Sequence, residues 1–397
     1  MHMNANRPEH KGKIWNPAFT RVFLANMLIN AGMQMNLTLV PKYVDSLGES
    51  ATMVGLASSL FALTALLFKF ISAPAIDTFD KRKVLTGGVI VMSVAFAGYA
   101  ASESLTPLLV ARLLQGIGQA FTTVCALTIA ADALPSEKMG EGIGIFSLSQ
   151  TICQAISPSI GLTLADWFDY RTAFIAGACM GLLAVAAAAS IRTRFPSTKK
   201  FRISLRNMIA KEALVPAAMM LFLCMSYSVL KAFLVVYAEA RGVTDGIGYF
   251  FTIYALTMLV TRPLVGRLSD RYGLVRVLIP AVLCFALSFF IISLSASLPM
   301  FFLAAFVSAF GYGACQPAVQ TLCMKSVPQE KRGAGGCTNY IGTDTGILTG
   351  GILAGILVER FGYIFMWRMM LLPMLFTVAI VIIFRRRISG IEEDFSG

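Results

Sequence analysis

The chain has 397 residues, of which 57% are hydrophobic and 14% charged, and its mean hydropathy is +0.73. A soluble domain carries roughly 25% charged residues, so this composition excludes an ordinary soluble protein and indicates one that lies in a lipid bilayer. The net charge of +12 does not indicate a nucleic-acid partner, because Lys and Arg concentrate in segments predicted to face the cytoplasm. Both histidines, His2 and His10, lie in the polar leader. We therefore expect no enzyme activity, no cofactor and no metal site within the membrane.

Twelve apolar runs are long enough to cross a bilayer as helices, which takes about 20 residues each. Their even number puts both termini on one side, and basic residues near both ends, including Arg7 and Arg385, predict that this side is the cytoplasm. The sequence thus predicts an all-α membrane protein of twelve transmembrane helices, at roughly 18–41, 52–73, 84–102, 106–131, 142–164, 172–191, 213–238, 247–266, 276–296, 299–324, 336–357 and 363–384.

A polar, basic connection between the sixth and seventh runs divides the chain into two halves of six helices. We predict an N-terminal bundle at 1–191, a basic cytoplasmic linker at 192–212 and a C-terminal bundle at 213–397. An offset of 193 residues aligns the halves, so that Lys69 falls on Arg262 and Asp77 on Asp270. Such a repeat predicts two similar six-helix bundles with a functional site between them near the middle of the membrane.

The most conspicuous motif in the C-terminal half runs from Gly266 to Gly273 and reads GRLSDRYG. It lies between two apolar runs, and we expect it to form a tight, charged turn bounded by its glycines. The corresponding stretch of the first half, 73–82, keeps Asp77 but lacks both glycines.

These motifs resemble those of the major facilitator superfamily, in particular its drug:proton antiporter branch. Residues 266–273 resemble the family's motif A and residues 112–120 its motif B. Residues 157–161 resemble motif C, which is associated with antiporters, although Ser157 replaces the usual Gly. The resemblance implies two bundles that rock around a cavity lined by spans 1, 4, 7 and 10. It also implies a conformational gate, in which the carboxylate of each motif A holds a helix end of the opposite bundle. The residues expected to form this gate are Asp77, Pro158, Gly161, Gly266, Asp270, Arg271 and Gly273.

Polar residues at helical spacing follow the same four spans. Residues four apart share a face of a helix, and we expect these faces to line a substrate cavity. The alternative is that amides bind neighbouring helices to one another. The predicted cavity residues are Asn26, Asn30 and Gln34 in span 1, Gln115 and Gln119 in span 4, Tyr227, Ser228 and Lys231 in span 7, and Tyr312, Gln316 and Gln320 in span 10.

Charged residues inside spans are costly and are functional candidates for that reason. Asp344 of span 11 is the first choice for a proton carrier, because a carboxylate held away from water can take up and release protons. The resemblance links Arg112 to proton coupling as well. The alternatives are that Arg112 binds a backbone carbonyl and that Asp344 pairs with a basic residue, such as Lys231 or Arg112. Lys69 and Arg262 are expected to snorkel to the cytoplasmic interface.

The sequence accordingly predicts a secondary transporter that exports a small, amphipathic molecule in exchange for protons. No ATP-binding loop of the Gly-x4-Gly-Lys-[Ser/Thr] type is present. The main alternative is proton-coupled uptake of a polar metabolite such as a sugar or an organic acid. We expect a monomer in a bacterial-type inner membrane, with a small-molecule substrate, protons and lipid as its partners.

Overall fold

The computed structural model describes residues 14–134, 139–191, 209–327 and 332–396, and within these ranges it contains helices and no strands. A short 3-10 turn, Lys211–Ala213, precedes α7. The α-helices are α1 Pro17–Ser46, α2 Ala51–Thr78, α3 Lys81–Ala100, α4 Leu105–Asp132, α5 Met139–Trp167, α6 Tyr170–Ala189, α7 Leu214–Ala240, α8 Tyr249–Tyr272, α9 Leu274–Leu294, α10 Leu298–Lys325, α11 Arg332–Phe361, α12 Tyr363–Met369, α13 Leu371–Ile383 and α14 Arg385–Ser396.

The predicted all-α membrane architecture is confirmed. Within the described residues, nine helical segments are long and apolar enough to cross a membrane, the last of which combines α12 and α13. The other three predicted spans are α1, α5 and α8, which have 30, 29 and 24 residues. At 1.5 Å of rise per residue, each of these three also exceeds the roughly 30 Å thickness of a hydrocarbon core.

Polar residues at the helix starts satisfy backbone groups that a helix leaves unpaired. Asn16 caps α1, where its side-chain oxygen accepts from the N–H groups of Ala18 and Phe19. Its side-chain nitrogen donates to the Ala133 carbonyl at 2.7 Å. One side chain therefore both starts α1 and fastens it to the end of α4.

The two halves pack with the same helix pairing, as the repeat predicts. In the first half, α1 packs on α5 and α6, α2 on α4, and α3 on α4 and α6. In the second half, α7 packs on α11 and α13, α8 on α10, and α9 on α10 and α13. The main contacts between the halves are two equivalent pairs, α2 with α11 and α5 with α8, so the repeat also governs most of the contact between the bundles.

The prediction of a turn over Gly266 to Gly273 is wrong. Helix α8 continues through Tyr272, and only Gly273 separates it from α9, with a positive φ of 85° that favours glycine. A helix does not have to end where it leaves the bilayer, and Arg and Leu are good helix formers, so the charged residues extend α8 instead of breaking it. The side chains of Asp77, Gly266, Asp270 and Arg271 lie outside the described part of the structure, and their gating role stays a prediction.

The two ends of the second half lie close together. Most of the predicted linker falls outside the described residues, but Glu212 precedes α7 and its carbonyl accepts from Arg387 of α14 at 3.3 Å. The twelfth span is interrupted at Met370, which separates α12 from α13.

Candidate functional site

A cavity of about 320 Å³ lies between the two bundles. Eight helices line it, namely α1, α2, α3, α4, α5, α7, α10 and α11. It brings together most of the residues predicted from the polar stripes, and their role in substrate binding remains a prediction. The predicted residues that line it are Asn26, Asn30, Gln34, Gln119, Tyr227, Ser228, Lys231, Tyr312, Gln316, Gln320 and Asp344.

Several of the lining amides also hold helices together. Asn26 donates to the Ser149 hydroxyl at 2.8 Å, which joins α1 to α5. Gln154 donates to the Tyr227 hydroxyl at 3.4 Å, which joins α5 to α7 across the two bundles. The two readings of the polar stripes therefore do not exclude each other, since the same amides line the cavity and bridge helices.

Arg112 and Gln115 lie outside this cavity, inside the first bundle. The Arg112 side chain is fully buried, and its Nε donates to the Ala57 carbonyl at 2.8 Å. Its Nη1 donates to Gln115 Oε1 at 2.8 Å, and Tyr99 donates to the same oxygen. These contacts connect α4 with α2 and α3, so the link between Arg112 and proton coupling still rests on the family resemblance.

Asp344 forms a buried ion pair with Lys69, which agrees with its pairing with a basic residue and contradicts the expectation that Lys69 snorkels. The pair joins α2 of the first bundle to α11 of the second, and the two residues are 6% and 3% exposed. The Lys69 Nζ also lies 4.6 Å from the centre of the Tyr340 ring. Lys69 therefore does not snorkel to an interface, and the partner of Asp344 is neither Lys231 nor Arg112. Spacing along the chain could not reveal this contact, because it spans 275 residues.

A second inter-bundle contact is related to this pair by the internal repeat. Arg262, which aligns with Lys69, donates to the Thr151 hydroxyl of α5 and to Gln316 of α10, each at 3.2 Å. Arg262 is thus held by polar groups and does not snorkel as expected. Thr151 is the residue that aligns with Asp344 under the 193-residue offset. The repeat therefore indicated that position 69 pairs with position 344 as position 262 pairs with position 151, and the sequence analysis did not use this relationship.

One end of the interface between the bundles is closed by charged residues that the sequence analysis did not single out. Lys42 of α1 contacts Asp166 of α5 and Glu239 of α7, each at 2.9 Å. Burial lowers the pKa of Lys42, but its hydrogen bonds to Glu239 and Asp166 more than offset this effect, so that pKa lies above its ordinary value. At the same end, Thr52 of α2 donates to Glu359 of α11.

Backbones approach each other closely next to this closed end. A Cβ placed on Gly55 of α2 would lie 2.1 Å from the carbonyl oxygen of Gly351 of α11. In the equivalent pair, Ser159 of α5 donates to the Gly248 carbonyl at 2.9 Å, and Thr252 of α8 donates to the Ala155 carbonyl at 2.7 Å. The bundles are therefore in close contact at the end of the molecule that contains Lys42. The cavity lies between the halves of the helices that are farther from Lys42.

Of the two gate candidates in α5, Gly161 serves the packing of this helix on α1. Pro158 lies inside α5. A Cβ on Gly161 would lie 2.3 Å from Cγ of Met35 in α1, so glycine permits the contact. Asp132, the last residue of α4, forms an ion pair with Lys81 at 2.7 Å within the first bundle.

Comparisons with known proteins agree with this geometry. The chain is 25% identical over 369 residues to the multi-drug resistance efflux pump PmrA of Streptococcus pneumoniae serotype 4, covering 88% of this chain and 91% of that protein. It is 24% identical over 374 residues to the multidrug resistance protein MdtG of Enterobacter lignolyticus, covering 88% and 87%. Its fold matches a POT family transporter, solved in complex with a thioalcohol-conjugated peptide, with a TM-score of 0.79 at 13% identity over 94% and 96% of the two chains.

The family comparison matches the chain in two overlapping ranges. Residues 22–247 and residues 216–393 both match the Major Facilitator Superfamily. Together the two ranges cover nearly the whole chain. This chain is an integral membrane protein that belongs to the Major Facilitator Superfamily of transporters.

Proposed function

We propose that the chain exports a small amphipathic molecule in exchange for protons, by alternating access of the cavity to the two sides of the membrane. The observation that carries the proposal is the buried ion pair between Lys69 and Asp344, which links the two bundles beside the cavity. The names of the relatives, which are multidrug efflux pumps and resistance proteins, support export as the direction.

The ion pair connects proton occupancy with the arrangement of the bundles. When Asp344 is charged, its attraction to Lys69 holds α2 against α11. When Asp344 takes up a proton, Lys69 loses its counter-ion, and a buried charge without a partner is strongly unfavourable. Protonation would therefore loosen the contact between the bundles, and loss of the proton would restore it.

The closed end and the cavity fit the inward-facing state of such a cycle. With both termini in the cytoplasm of a bacterial-type inner membrane, as the positive charges predict, the Lys42 end faces outward and the cavity opens inward. Binding of substrate from the cytoplasm would favour the charged form of Asp344 and release its proton. After the bundles rock, substrate would leave outward and a proton would enter. A single chain is sufficient for this cycle, and we expect a monomer.

Transport into everted membrane vesicles tests the proposal. Cells that express the chain supply the vesicles, and an acidic interior supplies the proton gradient. We expect chain-dependent accumulation of chloramphenicol or of another amphipathic compound from a panel, and collapse of the gradient with a protonophore should abolish it. Accumulation in right-side-out vesicles driven by an inward proton gradient would instead establish uptake and contradict the proposal.

A further inference from the structure

The charges around the cavity do not balance. Among the described residues that line it, Lys69, Lys231 and Asp344 carry charge. Lys69 and Asp344 neutralise each other as an ion pair. The charge that remains for a ligand is therefore the ammonium group of Lys231.

Lys231 is held in place without a partner of opposite charge. It is 7% exposed, and its Nζ has no hydrogen-bond partner among the residues that the structure describes. The Nζ lies 4.7 Å from the centre of the Phe251 ring and 5.8 Å from that of Tyr227. The attraction between a cation and an aromatic ring is weaker than the cost of removing an ion from water. The rings orient the ammonium group but do not replace a counter-ion.

Aromatic rings next to Lys231 offer a surface for a flat apolar group. Tyr227 precedes Lys231 by one helical turn, so both side chains extend from the same face of α7. The Tyr227 ring stacks on Tyr312 of α10, with centroids 4.0 Å apart and an angle of 3° between the planes. Both tyrosines line the cavity. A positive charge and an aromatic surface thus lie within the reach of one small molecule.

We propose that the cavity binds amphipathic anions, with the carboxylate or another oxyanion of the ligand on Lys231 and its aromatic body against Tyr227 and Tyr312. An ammonium group donates up to three hydrogen bonds, and charge-assisted bonds to an oxyanion are the strong ones. The cavity volume of about 320 Å³ lies at the lower end of the range for drug-sized ligands. This assignment rests on the proposed export function for what happens to the ligand, but not for its binding.

Equilibrium dialysis of the full-length protein in lipid nanodiscs tests the assignment. The probes are 2-naphthoate, which is an anion, and 2-naphthamide, which has nearly the same shape without the charge; empty nanodiscs correct for partition into lipid. We expect the anion to bind the wild type about ten-fold or more tightly than the amide, as a charge-assisted contact would provide. Lys231→Met should abolish that preference, Lys231→Arg should retain it, and Lys83→Met at an exposed position of α3 is the matched control.

Three results would overturn the assignment. The first is that the wild type binds the anion and the amide equally. The second is that Lys231→Met keeps the full preference for the anion. The third is that none of benzoate, 2-naphthoate and 1-pyrenecarboxylate binds above the level of empty nanodiscs. Because no gradient is present, the outcome is separate from the direction of transport. Inward transport of a bound carboxylate would contradict export and leave the anion site intact. Export without a preference for the anion would contradict the anion site and leave the export function intact.

Discussion

Lys69 of α2 and Asp344 of α11 form a buried ion pair that spans the two bundles, and the repeat aligns these positions with Arg262 and Thr151, which also contact each other across the bundles. One contact therefore contains a carboxylate and the other a hydroxyl. Only the first can be broken by adding a proton to its acceptor. The asymmetry places the expected proton response on the α2–α11 side of the molecule.

Loss of the Lys69 charge should destabilise the protein more than loss of both charges. Lys69→Met leaves the Asp344 carboxylate buried without a partner, and breaking a buried pair in this way costs about 3–5 kcal/mol. The double variant with Asp344→Asn removes the unpaired charge and should recover most of this loss. Thermal unfolding of the wild type, the two single variants and the double variant gives the coupling energy directly; additive effects would show that the two side chains do not depend on each other.

Asp344→Asn should separate transport from the proton gradient. The amide keeps the shape of the carboxylate but cannot take up a proton, so we expect gradient-driven accumulation in everted vesicles to fall about ten-fold or more, equivalent to 1.4 kcal/mol. Exchange of labelled for unlabelled substrate without a gradient should continue. Thr151→Val, at the aligned position of the other contact, is the control and should leave gradient-driven transport proton-dependent. Full accumulation by Asp344→Asn would remove the residue from proton coupling.

The close contact between α2 and α11 should tolerate glycine but not alanine. In Gly55→Ala the new methyl group meets the Gly351 carbonyl, so the helices must move apart and the Lys42 end should open more often. Gly87→Ala is the matched control, because a Cβ there has no heavy atom within 4 Å. Accessibility of a cysteine at Thr52 to a membrane-impermeant thiol reagent, in a cysteine-free background, reports the opening. Equal labelling of both variants would contradict the closing role of this contact.

The Lys42 contacts should be insensitive to pH over the physiological range. Because the pKa of Lys42 is raised in the folded protein, its stabilising contribution is fully present below the unfolded pKa of roughly 10.4 and is lost only as the pH rises through the higher folded value. Lys42→Met should therefore increase labelling at the closed end by a similar factor at pH 6 and at pH 8. An effect that disappears at pH 8 would mean that Lys42 already loses its proton there.

Asp270→Asn should slow transport by changing the balance between inward- and outward-facing states, as the resemblance to motif A predicts. Substrate affinity should stay within about two-fold, since the residue lies near the end of α8. Asp77→Asn, its mate in the repeat, provides the comparison. Binding and turnover measured on the same preparation distinguish the two effects, and lost affinity at unchanged turnover would argue against a gate.

The sequence predicted the fold, because helix length and hydropathy report the bilayer directly. It also predicted most of the cavity, because Asn, Gln and Tyr at four-residue spacing share faces that the bundles turn toward each other. Gln115 fits the same spacing but lies inside the first bundle with Arg112, since spacing identifies a face and not the helix that covers it. The partner of Asp344 depends on which long side chain of the other bundle reaches it. The distance between two bundles cannot be obtained from the hydrophobic pattern or from the spacing of residues along the chain.

The glycine motif of α8 shows a different limit. Two glycines and several charges are typical of a turn, yet the helix continues to Tyr272 and only Gly273 changes its direction. Local composition could not distinguish a turn from a helix that leaves the bilayer, because exposed charges are compatible with both.

Proton release on substrate binding tests the central claim most directly. Purified wild-type and Asp344→Asn protein, in weakly buffered detergent solution with a pH indicator, are mixed with a compound that the vesicle assay identifies as exported. We expect the wild type to release protons when the compound binds, with a release that follows saturation of the site, and Asp344→Asn to bind the compound without release. Equal proton release by both proteins would show that Asp344 does not carry the exchanged proton.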